Sequence, residues 1–254
     1  MKMQTKLSFT NSQGVELVGI LSDPNKTKDV VMILCHGFSS SKGSTTHITL
    51  EKLFNEKNIA TFRFDFFGHG ESKGNFEDIT VSEGMDDVLN AIKLLKKQGY
   101  KKIGVFGSSY GGMAAFLAAA RTKDLFVLCL KCPVSDYFGK LMAQLCYEEV
   151  EQWKQNGWTT YTSSSTGKKH KLNYSFFKDP LNDKGYDAAK KITVPTLIIH
   201  GDADVTVPLE QSRKLASFIK NAKLIIFPGC GHNFEGKDFD KSNKEFVQFV
   251  VDNV

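Results

Sequence analysis

The chain has 254 residues, 41% of them hydrophobic and 24% charged, and a formal net charge of +5. That length suits one large domain or two small ones, and the composition is that of an ordinary soluble globular protein. The longest apolar runs, such as Leu125 to Leu130, are strand-sized and leave no membrane span, and the scattered lysines (densest at Lys168, Lys169, His170 and Lys171) lack the basic stripe that a nucleic-acid partner requires.

At the N-terminus, MKMQTKLSFT alternates like a strand and lacks the apolar region of a signal peptide, so a cytoplasmic location is expected. Strands are predicted at 5–10 and 15–22, with no helix between them, which implies an antiparallel pair. Further strands follow at 29–35, 59–65, 102–107, 125–131, 194–200 and 222–227. Several are continuous apolar runs without alternation, the pattern of strands buried on both faces of a mainly parallel sheet. Between them, Val88, Ile92 and Leu95 mark a helix over 81–98, and an alanine-rich stretch marks a small, tightly packed one over 110–121. Pro208 opens a helix to about 219, and 242–253 closes the chain. Alternating strands and helices predict an α/β fold around an eight-stranded sheet.

Residues 133–190 break this rhythm and divide the predicted core into 1–132 and 191–254. They hold Trp153, Trp158, Tyr137, Tyr147, Tyr161, Tyr174 and Tyr186. Residues 136–157 read as one amphipathic helix, and 158–177 as a hairpin around Ser164–Lys169. An insertion of this length is seldom a plain loop. The bland reading is a structural excursion or a homodimer contact; the sharper one is a cap over a pocket.

The five cysteines, Cys35, Cys129, Cys132, Cys146 and Cys230, are odd in number and irregular in spacing, as in a reduced compartment. Cys129 and Cys132 form a lone Cys-x-x-Cys with no second pair, so no metal site is expected.

Gly107-Ser108-Ser109-Tyr110-Gly111 fits G-x-S-x-G. The motif is informative only between a strand and a helix, where a tight turn lifts the central side chain above the sheet edge. That is its predicted place here. The register makes Ser109 central and Ser108 flanking.

A serine hydroxyl needs a base, and the base needs an orienting acid. Among His36, His47, His69, His170, His200 and His232, the last follows the final strand in a glycine-rich loop that can carry an imidazole back across the sheet edge. The loop after the preceding strand, His200 to Pro208, offers Asp202 and Asp204, either of which has a bland role as a turn or helix cap. The order serine, aspartate, histidine is that of the α/β-hydrolase elbow and differs from those of chymotrypsin and subtilisin.

Backbone donors for an oxyanion are expected from the N–H of Tyr110, just after the nucleophile, and of Phe38 in the loop after the third strand. The side chains of Phe38 and Tyr110 are expected to line the substrate pocket. Residues 37–44, GFSSSKGS, have lysine and glycine in the wrong order for a phosphate loop, and Gly68-His69-Gly70 lacks the third glycine of a dinucleotide fingerprint. No cofactor is implied.

His36-Gly37-Phe38, Arg63 to Ser72, Gly107 to Gly112, His200 to Pro208 and Gly229 to His232 together resemble the α/β-hydrolase superfamily, over nearly the whole chain. The family pattern H-G-x-x-D-x-x-V-P implies that Asp204, rather than Asp202, is the catalytic acid. DFFGHGESKGNFEDITVSEGMDDV is similar to the bacterial cinnamoyl and feruloyl esterases, whose cap after the sixth strand shapes a pocket for aromatic acyl esters. Those enzymes often carry histidine before and glutamine after the nucleophile, where this chain has Ser108 and Tyr110. SYGG is more like the catalytic domains of prolyl-oligopeptidase-type peptidases.

The expected activity is hydrolysis of a small-molecule carboxylic ester with an apolar or aromatic group, through Ser109, His232 and Asp204 and an acyl-enzyme. The rivals are a thioesterase or small peptidase on the same triad, and a non-catalytic binding protein on this scaffold.

Overall fold

Strands apolar on both faces need cover on both faces, and the chain supplies it by alternating strand and helix. A computed structural model describes residues 4–163, 167–179, 181–182 and 184–254, the side chains of 142 and 143 aside. In chain order the core elements are β1 (Gln4–Thr10), β2 (Glu16–Ser22), β3 (Val30–Cys35), α1 (Thr45–Glu56), β4 (Ala60–Phe64), α2 (Val81–Lys97), β5 (Lys102–Ser108), α3 (Tyr110–Ala119) and β6 (Leu125–Lys131). There follow α4 (Tyr137–Gln144), α5 (Tyr147–Asn156), β7 (Trp158–Thr162), β8 (Lys169–Asn173), α6 (Ser175–Lys178) and α7 (Gly185–Ala189). The chain then returns with β9 (Thr196–Gly201), α8 (Leu209–Phe218), β10 (Ala222–Phe227) and α9 (Gly236–Asp252).

One sheet runs β1-β2-β4-β3-β5-β6-β9-β10. The N-terminal pair is antiparallel, as its missing helix implied, with Gln4 opposite Ser22, and β2 meets β4 antiparallel; the other pairings are parallel. Side chains alternate across each strand. In β3, Val31, Ile33 and Cys35 face α2 and α3, while Met32 and Leu34 face α1 and α9. Every residue of α3 is buried, which accounts for its small side chains. On the other face Phe246 meets Phe106 edge-on, with ring centroids 5.0 Å apart. Burying one such ring contributes roughly 1.5–3 kcal/mol. Among the described residues no helix is long and apolar enough to cross a membrane.

Two helix boundaries differ from the sequence reading. The single helix expected over 136–157 is two: Leu145 is extended, and Cys146 starts a second helix with Glu149 Oε2 accepting from its N–H at 2.8 Å. That capping interaction restarts the helix on a new axis. The last helix begins at Gly236 rather than 242, because its polar first turns hide the periodicity. The predicted hairpin is present as antiparallel β7 and β8; residues 164–166, which fall within its expected turn, lie outside the described ones.

Candidate active site

β5 and α3 are joined by one residue. Ser108 ends the strand, Tyr110 begins the helix, and Ser109 alone makes the reversal, at φ +55° and ψ −116°. Side chains other than glycine's avoid such a conformation, which costs of order 1–3 kcal/mol. Two glycines make the reversal possible. A Cβ on Gly107 would strike the backbone of Gly111, and one on Gly111 would strike the carbonyls of Cys35 and His36. The helix therefore sits against the end of β3 with nothing between, and the Ser109 side chain stands at the wall of a cavity.

The candidate acid and base lie in the loops after the last two strands, β9 and β10. His232 Nδ1 lies 2.7 Å from Asp204 Oδ2. Asp204 Oδ1 accepts the N–H groups of Thr206 and Val207 at 2.8 and 2.9 Å. His200 Nε2 lies 3.1 Å from the same Oδ2 and 2.9 Å from the carbonyl of Val207. Two acceptors face that nitrogen, so it carries a hydrogen and has no lone pair for a metal, although Cys132, His200 and Asp204 cluster closely. Burial pushes the Asp204 carboxyl up, but the hydrogen bonds from His200 and His232 outweigh it and hold the group well below the usual carboxylate range. Asp202 serves the loop instead. Its Oδ1 accepts the N–H of Gly229 at 2.6 Å and tethers the segment that carries His232. Ser109 and His232 line the same cavity, with no hydrogen bond yet joining their side chains. Such links are often loose until substrate is bound.

The loop after β3 faces Ser109. A Cβ built on Gly37 would lie 3.6 Å from Ser109 Cβ. Among the described residues no group takes up the N–H of Phe38 or of Tyr110. His36 anchors this loop from beneath: Nδ1 lies 2.8 Å from the Gly37 carbonyl, and Nε2 accepts the Phe66 N–H at 3.2 Å. Burial lowers its pKa to about 4, so the ring is neutral at pH 7 and both nitrogens are used.

The cavity has a volume of about 660 Å³. Phe38 lines it from the core, and Tyr137, Trp153, Tyr161 and Phe176 from the segment between β6 and β9. Phe38 meets Tyr161 and Phe176 edge-on at 4.7 and 5.4 Å. The expectation for the Tyr110 side chain is corrected. Its ring is only 1% exposed, does not line the cavity, and donates its hydroxyl to the Thr80 carbonyl at 2.7 Å. Helix geometry points the ring back into the core beneath Phe38, so only its backbone can serve the site. Trp158 and Tyr147 face outward and line no part of the cavity. Two residues escaped the sequence reading: His200, seen only as a histidine at a strand end, and Lys131, hidden as the last residue of an apolar strand.

The eight-stranded topology, with a serine at a strand–helix turn, defines the class: an α/β-hydrolase. Residues 52–253 match the prolyl oligopeptidase family, and the chain belongs to that family. Human ABHD10, a mitochondrial palmitoyl-protein thioesterase, is 27% identical over 257 residues, 100% of this chain and 81% of the relative. The bifunctional esterase/perhydrolase DCH of Acinetobacter calcoaceticus is 43% identical over 65 residues, 25% of this chain and 24% of its own. Est1E from Butyrivibrio proteoclasticus, with ferulic acid bound, superposes with a TM-score of 0.85 at 25% identity, covering 97% of this chain and 98% of that one. The chain is a hydrolase of this class, similar in sequence and structure to esterases and thioesterases.

Proposed function

We propose that the protein cleaves carboxylic esters through Ser109, His232 and Asp204, with residues 133–190 as a cap over the substrate. The observation that carries this reading is the 2.7 Å contact of His232 with an ionised Asp204, opening on the same cavity as the strained Ser109. Ser109 Oγ attacks the ester carbonyl as His232 Nε2 takes its proton. Asp204 keeps the hydrogen on His232 Nδ1 and stabilises the imidazolium; His200 acts one step back, as a positioning residue for Asp204. The free N–H groups of Phe38 and Tyr110 receive the oxyanion. His232 then protonates the leaving alcohol, and water releases the acyl group by the reverse path.

The aromatic wall favours an acyl group that is apolar or aromatic, of the cinnamoyl or feruloyl type, and the ferulic acid in Est1E supports that choice. A second reading, a thioesterase on the same triad, is favoured by the similarity to ABHD10 over the full chain. The first test is hydrolysis of short p-nitrophenyl esters by the wild type and Ser109→Ala. Loss of activity in the variant is expected; equal rates would overturn the assignment. Matched cinnamoyl esters and thioesters then separate the two readings by kcat/KM.

A further inference from the structure

The cavity lining is electrically one-sided. Among the described residues around it there is no aspartate or glutamate, yet two lysines are present, Lys131 at the end of β6 and Lys140 on α4. Lys131 is 5% exposed. Neither forms an ion pair with a carboxylate among the described residues. The Lys131 ammonium lies 5.0 Å from the centre of the Phe234 ring. That of Lys140 lies 5.9 Å from the Tyr137 ring and 3.3 Å from Gln144 Oε1. Burial pulls both pKa values down; for each, the field of Asp204 opposes this, joined for Lys131 by that of Cys132. Asp204 is already saturated by His200, His232 and two backbone donors, so it offers neither lysine a direct partner. Withdrawing an ammonium from water without an acceptor costs several kcal/mol. A side chain kept that way at the wall of a substrate cavity is poised for an anion brought in by the ligand.

Phe38, Tyr161 and Phe176 form one aromatic cluster beside the loop after β3, and Tyr137 joins it to Lys140. Lys131 packs on Phe234, two residues beyond His232, the group that protonates the leaving atom. We propose that the preferred substrates carry an anionic group, a carboxylate or a phosphate, on the leaving-group side of the scissile bond, and that Lys131, assisted by Lys140, binds it. This inference rests on the hydrolase reading above and narrows its substrate class: an apolar acyl group joined to an acidic alcohol or thiol partner.

The test compares 4-carboxyphenyl butyrate with 4-carbamoylphenyl butyrate, which are nearly isosteric and differ in charge. The wild type should favour the carboxylate in kcat/KM by roughly tenfold, the worth of one charge-assisted hydrogen bond. Lys131→Met should bring the ratio to near one, Lys131→Arg should restore most of it, and Lys140→Met should lower it in part. Calorimetric binding of the two intact esters to Ser109→Ala reads recognition without turnover. Preferential binding of the carboxylate with no hydrolysis of either ester by the wild type would leave the anion site standing and remove the triad. Hydrolysis of both esters at equal kcat/KM, with the ratio unmoved in Lys131→Met, would overturn the anion site and leave the triad. Binding of neither ester to Ser109→Ala would also overturn it.

Discussion

The two walls of the cavity are held by different means. On the core side, Ser109 follows β5 directly, Asp204 and His232 lie in the loops after β9 and β10, and the Asp204 carboxylate is held by two backbone N–H groups and His232. On the other side, 133–190 adds no strand to the eight-stranded sheet. Its hold on the core includes a tilted ring contact of Phe76 with His170 at 4.2 Å, a Ser39–Ser163 hydroxyl contact at 3.0 Å, and the exposed pairs Asn173–Asp78 and Lys171–Glu77. Exposed pairs of this kind contribute little stability each. The larger anchors are buried: Tyr137, Trp153, Leu172 and Phe176 belong to the same core cluster as α2 and α3, and Asp179 accepts the N–H and the hydroxyl of Ser82 at 2.7 Å. The candidate reacting groups thus follow strands of the sheet, and the candidate selecting groups stand on an insertion packed onto it through side chains. The same chemistry can therefore be kept while the range of substrates changes.

Mutations on the two walls should separate accordingly. Ser109→Ala is expected to lower kcat by roughly 10⁴-fold or more, measured with p-nitrophenyl butyrate. Asp204→Asn should cost about 10³- to 10⁴-fold, because the amide favours the wrong His232 tautomer; an effect below tenfold would mean that another group orients the imidazole. Across the cavity, Tyr161→Ala should raise KM for a cinnamoyl ester roughly tenfold with little change in kcat, since a wall contact acts on bound substrate and transition state alike. An equal fall in kcat would place that ring among the groups that act in the transition state and break the contrast. Asp202→Ala should have the smallest effect, a loss of a few-fold in kcat, as it only loosens the loop at Gly229.

Acid should damage the core side first. His36, His47 and His69 are buried and held below the ordinary 6.5, at about 4, about 4 and about 3, chiefly by burial. The unfolded chain therefore takes up protons before the folded one does. Stability contributed by these rings is complete above about pH 6.5 and falls as the pH drops toward 4, with a slope of up to about 1.4 kcal/mol per pH unit for each ring. Urea unfolding at pH 7, 5.5 and 4.5 reads this directly; a flat midpoint across that range would contradict the burial of the three rings. His47→Gln should reduce the slope.

The parts of this molecule that could be read from sequence are those where backbone sterics or burial on both faces of a strand leave a mark. Gly107 and Gly111 signal a turn that admits no other side chains, and the unbroken apolar runs signal a sheet covered twice. His232 is suggested by its place after the final strand; the loop after the preceding strand offers Asp202 and Asp204, and only the family resemblance selects Asp204. What escaped depends on direction rather than spacing. Tyr110 sits beside Ser109 in sequence, but the helix turns its ring into the core, where Gly84 leaves room for its hydroxyl. His200 becomes a partner of Asp204 only because the loop after β9 folds back over it. Lys131 ends a strand of apolar residues, and nothing in that run reveals that its long stem reaches the cavity. The break at Leu145 was hidden because the apolar spacing continues across it.

The turn at Ser109 has a further consequence for the fold. A glycine there would adopt φ +55° without steric penalty, so Ser109→Gly should stabilise the protein by about 1 kcal/mol while abolishing the reaction. Under the proposed chemistry, Ser109 is a position where the sequence best suited to folding and the sequence suited to chemistry disagree. An inactive variant that melts higher than its parent would be the direct record of that conflict.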